Sequence, residues 1–441
     1  MNKLLTNVRI IDPFGETEYI ENGYITIEDE IIVKIGTGSA PNISIDEIID
    51  LNGKTVLPGM INAHTHLYSA LAMGMPSPKN IPTNFVEKLQ EIWWKLDLAL
   101  DVDSAKASFE AGLLECLKWG VTTVFDHHSS PNYTYGSLEL LADTAEILGQ
   151  NISIAFETTD RNGKEFFKSG LLENIKSFEK FKDNQYVHPL IGLHASFTLS
   201  DKSLKIIYNK LKGYKKWGIH VHVAEDKDDE NDAKSKGYES VIDRLNKFKL
   251  INEHCFIIHG IHSSKKDIEF LNNIGTTLVH NPTSNANNRV GMLSNSHIST
   301  MNAGLGTDGM RANMLEEAQQ GTLIRSSQLK GGEATINYLE LLFKNNPNIA
   351  SRAFERKIGH LSPGHQADLT IYDYQPRTEI SKDNFAGHIL FGFGQPTDVL
   401  SRGKYRIKNS KFVDISEWNF NINAQKQSLQ LWNKMQSIQR N

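Results

Sequence analysis

Short apolar runs that end in a polar residue recur along the middle of the chain, and the segments between them carry apolar residues at helical spacing. The runs read as strands near 56–62, 121–125, 152–157, 186–193, 218–223, 255–259, 276–279 and 303–307. Between them, 104–119, 138–149, 171–181, 201–212, 238–248, 265–272 and 315–327 repeat apolar positions every three or four residues, which predicts amphipathic helices. Eight strands alternating with helices is the pattern of a (β/α)8 TIM barrel, an α/β fold whose strands converge on one mouth at their C-terminal ends. The flanks differ. Segments 4–12, 24–35, 367–374 and 399–413 alternate apolar and polar residues, as half-exposed antiparallel strands do. Neither flank can bury a core alone, so the two termini are expected to build one small β-sandwich. The expected division is residues 1–57 and 358–414 for the two parts of the sandwich, 58–357 for the barrel, and 415–441 for a C-terminal helix.

The strand ends carry the chemistry. The first expected barrel strand closes as Leu57-Pro-Gly-Met-Ile-Asn-Ala-His-Thr-His66, so His64 and His66 share one face at its tip. Imidazole is the commonest protein ligand for divalent transition metals. The run 218–223 holds His222, with Glu225 three residues on, and later runs end in His259, His280 and Asp308. A barrel would bring these groups to one mouth.

Composition adds exclusions. The 39% hydrophobic fraction over 441 residues is enough for a sizeable core, and a net charge of −5 gives no support for nucleic-acid or anionic-membrane binding. No apolar run approaches the length of a membrane span, and the N-terminus lacks a signal-peptide pattern, so a cytoplasmic location is expected. Cys116 and Cys255 read as reduced core thiols. The charged run 225–236, apart from Glu225, reads as a solvated loop.

These motifs resemble the amidohydrolase superfamily, in particular its mononuclear deaminase and chlorohydrolase branch. The resemblance runs from the leading strands through His64-Thr-His66 to Gly359-His-Leu-Ser-Pro-Gly-His-Gln-Ala-Asp-Leu369, which is similar to the family's return to the sandwich. Trp93-Trp-Lys-Leu-Asp97, Asp126-His-His-Ser-Ser-Pro131 and Glu157-Thr-Thr-Asp-Arg-Asn-Gly163 look most like SsnA-type aminohydrolases. The resemblance implies that His64, His66, His222 and Asp308 hold one divalent metal ion, Zn²⁺ in the first instance and Fe²⁺ as the alternative. The carboxylated lysine of the binuclear branch has no counterpart in 186–195.

The resemblance further implies that Asp308 takes a proton from water, His259 orients it, and Glu225 protonates a ring nitrogen. The implied reaction is hydrolytic deamination of a nitrogen heterocycle, with chlorohydrolase or cyclic-amide hydrolysis as alternatives and a non-catalytic assembly role as a third. A homodimer is expected by the same resemblance. His194 and His128, at the ends of the fourth and second strands, are candidate substrate contacts, and so is Arg311, which would favour an anionic substrate group. His220 reads as a packed histidine one layer below His222, and Trp93 and Trp94 as helix core, with substrate stacking the alternative.

Overall fold

The computed structural model describes residues 2–38, 45–329 and 336–438. The expected segments 1–57, 58–357 and 415–441 each include a few residues outside that set. The barrel closes from two parallel sheets. One runs Met60–Thr65, Val121–Asp126, Asn151–Ile154, Val187–Pro189; the other runs Ile191–Ala195, Ile219–Val223, Phe256–His259, Thr277–His280, Gly304–Leu305. A Thr158–Leu193 bridge joins the sheets on one side and a Thr65–Asp308 bridge joins the eighth strand to the first on the other. The expected fourth strand is thus one strand in two pieces, split at Leu190 after Pro189, whose nitrogen cannot donate to a ladder.

The helices form where their ends are marked. Val102–Lys118 begins in a capping box between Asp101 and Ser104, and Lys265–Ile274 begins in one between Ser264 and Asp267 and ends at Gly275 with φ 85°. Each turns its apolar stripe onto the strands, and Leu113, Leu117, Val121 and Val124 are among the fully buried residues of that layer. Deep in the barrel Phe125 stacks on Phe256 at 5.0 Å and meets Phe354 edge-on. No described helix is long and apolar enough to cross a membrane.

The termini pair as one nine-stranded mixed sheet. Thr55–Pro58 lies parallel to Asn2–Ile11 and antiparallel to Leu369–Tyr372, so the two ends of the chain meet in adjacent strands. Ile25, Ile27 and Ile32 from one end and Ala367, Leu369 and Leu400 from the other share a single apolar core. The last helix, Glu417–Ser437, packs on Val102–Lys118 and ties itself to the barrel through Trp432 Nε1, which donates to the carbonyl of Leu71 at 2.9 Å.

Three local expectations need correction. The charged run after Glu225 is a helix, Lys227–Ser235, capped by the Asp226 side chain. Asp229 and Glu230 within it are buried: the Asp229 carboxylate accepts from the backbone of Phe197 at 3.0 Å and of Ala224 at 2.9 Å, and Glu230 accepts from the backbone of Val241. The third barrel strand stops at Ile154 and the eighth is only Gly304–Leu305, where loop bridges replace regular ladder pairing.

Candidate active site

Strands one, five and eight deliver His64, His66, His222 and Asp308 to one point, with their ligand atoms all within 4.8 Å of one another. Asp308 Oδ1 lies 3.0 Å from His66 Nε2 and 3.4 Å from His64 Nε2, and His222 Nε2 is 3.2 Å from His66 Nε2. The outer ring nitrogens are tied down: His66 Nδ1 to the His127 carbonyl at 2.7 Å and His222 Nδ1 to the His194 carbonyl at 2.8 Å. A ring that donates from Nδ1 to a carbonyl presents Nε2 as a lone pair, which is the tautomer a metal needs. The backbone is bent to this purpose. Ala224, His259 and Asp308 adopt φ of 46°, 71° and 54°, left-handed values that non-glycine residues hold only where surrounding structure enforces them.

Glu225 and His259 stand on the other side of Asp308. His259 Nε2 lies 3.4 Å from Glu225 Oε2 and 3.9 Å from Asp308 Oδ2, while its Nδ1 is 2.9 Å from Asn285 Oδ1. Ser284 donates its hydroxyl to Asp308 Oδ2, and Asn288 donates to Glu225 Oε1 at 3.2 Å. Burial pushes Glu225 up to about 7, so it can carry and release a proton near neutrality. Burial also opposes charge on His66, but the adjoining Asp308 carboxylate lifts that imidazole to about 9. Asp308 is held well below the usual carboxylate range by His64 and His66, against the cost of its own burial.

The donor set fits a divalent ion. His64 Nε2 and His259 Nε2 are buried without a hydrogen-bond partner, although both face carboxylates, and three imidazoles with one carboxylate leave a coordination position for water. Unpartnered buried polar atoms of this kind call for an explanation, and a shared ion supplies one.

Above the cluster opens a cavity. Phe85, Val86, Leu89, Trp93, Trp94, Phe197 and Met310 give it apolar walls. Trp93 and Trp94 therefore face the cavity, not only the helix core expected for them, and they close a π-helical turn, Leu89–Trp93, an irregularity frequent at functional sites. His194 lines the wall with Nδ1 2.9 Å from Thr198 Oγ1, and burial lowers it to about 4, so it is neutral.

Two expected contacts are misplaced. His128 is fully buried behind the wall, 2.7 Å from Ser130 Oγ and edge-on to Phe109, and it does not line the cavity. Its neighbour His127 also lies beneath the site, within reach of the Leu193 and His220 carbonyls. Arg311 turns outward: its guanidinium lies 4.6 Å over the Trp119 ring and its Nε donates to Glu115 at 3.1 Å, so the cavity receives Gly309 and Met310 instead. The charge it was expected to offer an anionic substrate is absent from the pocket. Missed by the strand-end pattern were Asp97, Glu157 and Arg161, a buried charged group in the wall. The stretches Trp93–Asp97 and Glu157–Gly163 held that signal, since charges inside apolar surroundings seldom stand without partners.

The chain belongs to the amidohydrolase family, whose model matches residues 55–395. It is 27% identical over 399 residues to a 5-methylthioadenosine/S-adenosylhomocysteine deaminase of Thermococcus sibiricus, covering 89% of this chain and 90% of the relative. Its fold is similar to that of an adenosine deaminase from Xanthomonas campestris with bound zinc, at a TM-score of 0.82, 18% identity and 98% coverage of both chains. It is similar also to the atrazine chlorohydrolase of Arthrobacter aurescens TC1 complexed with zinc, at a TM-score of 0.81 and 17% identity, covering 97% of this chain and 100% of the other.

Proposed function

We propose that this protein is a metal-dependent aminohydrolase that converts an exocyclic C–NH₂ of a nitrogen heterocycle to C=O and releases ammonia. One arrangement carries the reading: three imidazoles and Asp308 surround one point, and Glu225 and His259 stand against the same carboxylate. The names of the deaminase relatives support the same direction. His64, His66, His222 and Asp308 are assigned as the ligands of a single ion, zinc first among the choices. A divalent ion bound there would lower the pKa of water toward neutrality.

The chain's own groups supply the remaining steps. The apolar walls orient the flat substrate and His194 meets its edge. Asp308 accepts a proton as water adds to the amino-bearing carbon, while Glu225 delivers its proton to the adjacent ring nitrogen. His259, held by Asn285, steadies the attacking oxygen. Asp308 then returns the proton to the departing amine, Glu225 takes up the hydroxyl proton as the C=O forms, and ammonia leaves. Residues 58–357 are assigned to this catalytic unit, with the termini as its sheet and closing helix.

The test is to purify the protein without chelator, measure bound metal, and assay the metal-loaded form for ammonia release on purines, pterins, pyrimidines and triazines. About one metal per chain with ammonia from one compound class is expected. Chloride or a new carboxylate in place of ammonia would move the reading to a chlorohydrolase or cyclic-amide hydrolase, and absence of metal would refute it.

A further inference from the structure

The wall away from the ligand cluster is charged in a way the reaction does not require. Among the described residues, Arg161 is the only guanidinium or ammonium group lining the cavity, and both of its forks are already taken. Its Nη2 donates to Asp97 Oδ2 and its Nη1 to Glu157 Oε1, while the guanidinium lies 5.2 Å over the Trp94 ring. The three side chains are 8%, 2% and 3% exposed, and Arg161 Nε is buried with no partner. Across the cavity, Asp226, Asp228 and Asp229 line the start of Lys227–Ser235, and Glu225 and Asp308 line the cavity nearer the ligands. Acidic side chains thus outnumber guanidinium and ammonium groups in the lining by seven to one, or six to one with Glu225 holding the proton it delivers. One divalent ion does not reverse that balance.

We infer that this cavity accepts neutral or cationic heterocycles and rejects those that carry a phosphate or carboxylate. The inference rests on the deamination proposed above and narrows its substrate class. An arginine offers an anion a bidentate clamp only while its fork is free. Here two carboxylates hold the fork, so an incoming anion would meet the charge of side chains that are themselves buried, where screening is weak. What the wall does offer is hydrogen bonding. The rim carboxylates Asp226 and Asp228 accept from N–H or O–H groups. The apolar faces of Trp93, Trp94 and Phe197 suit a flat ring.

The experiment compares matched probes on the zinc-loaded protein, adenosine with adenosine 5′-monophosphate and pterin with pterin-6-carboxylate, each by ammonia release. The neutral member is expected to exceed its anionic partner by at least about 100-fold in kcat/KM. Asp228→Lys, at the exposed rim, should narrow that ratio at least threefold by admitting the anion. An anionic member within threefold of its neutral partner overturns the charge inference and leaves the deaminase reading standing. No ammonia from any probe by protein that carries its metal counts against the deaminase reading itself, and the inference falls with it.

Discussion

His64 Nδ1 and His220 Nε2 lie 2.9 Å apart, and both rings are fully buried. One of the two must donate. If His64 Nε2, which faces Asp308, is to serve as a lone pair, the proton sits on His64 Nδ1 and His220 accepts it. His220 is then a positioning residue for the ligand set, supporting His64 as backbone carbonyls support His66 and His222.

His220→Phe keeps the ring volume and removes the acceptor. Metal affinity should fall roughly 10–100-fold while the fold is retained. Competition against a chromogenic chelator, with circular dichroism as the control, measures both. Unchanged affinity would leave His220 as packing alone.

The ligand and proton-transfer roles separate cleanly by substitution. His66→Ala removes a nitrogen that lies 3.0 Å from Asp308 Oδ1, and the purified variant should hold little metal. Glu225→Gln keeps the shape and the contact with Asn288 but cannot deliver a proton. It should retain its metal and lose about 10²–10⁴-fold in kcat. Elemental analysis and ammonia release on the same preparations decide it, and a fully active Glu225→Gln would remove the shuttle role.

Much of this was legible in the sequence because the barrel imposes a rule: a polar residue that ends an apolar run must arrive at the mouth. His64, His222, His259 and Asp308 follow that rule, and Asp308 follows it even though its regular strand is only two residues long. Side-chain direction beyond the strand end was not legible. His128 sits two residues past Asp126 and Arg311 six residues past Leu305, beyond the strand geometry that fixes side-chain direction, and the partners that took them were Ser130 in one case and Glu115 with Trp119 in the other. The Asp97–Arg161 ion pair spans 64 positions of sequence, so no local pattern could announce it. His220 was placed correctly as a buried layer below His222, but its bond to His64 crosses 156 positions and was invisible for the same reason.

Glu317 offers a test of buried charge outside the ligand set. Its carboxyl binds the backbone nitrogen of Thr283 at 2.9 Å and the Thr283 hydroxyl, and burial pushes it up to about 8. In the unfolded chain the group titrates near about 4.3. Between these values the folded state keeps a proton that the unfolded state has lost, so this contribution is full below the lower value and disappears as pH rises through the upper one. Asp126 and Glu230, both raised to about 7 by burial, act in the same direction. In chelator-treated protein this carboxyl contribution to the melting temperature should therefore fall from pH 5 to 8.5, opposite in sign to the contribution of buried neutral histidines such as His64 and His222. Glu317→Gln should flatten that slope and raise stability at pH 8.5 by on the order of 1–3 kcal/mol. A slope unchanged by the substitution would show that Glu317 ionises freely.

Metal binding should run against protons at His66. Without an ion, Asp308 stabilises the imidazolium and holds its pKa near 9, although burial alone would lower it. An ion that takes His66 Nε2 must displace that proton, so affinity is coupled to pH with a definite sign. Between pH 6.5 and 8.5 the apparent affinity should rise by about tenfold per pH unit, flattening as pH approaches 9, with roughly one proton released per ion. His64, pushed down to about 3 by burial, and His222, lowered well below its ordinary value by burial, are already neutral across this range and add no further proton. Calorimetric titration of the apo-protein with zinc, in buffers of different ionisation enthalpy, counts the protons directly. Near-zero release with a flat affinity profile would mean that Asp308 does not hold His66 charged, and the close His66–Asp308 contact would then be a neutral hydrogen bond.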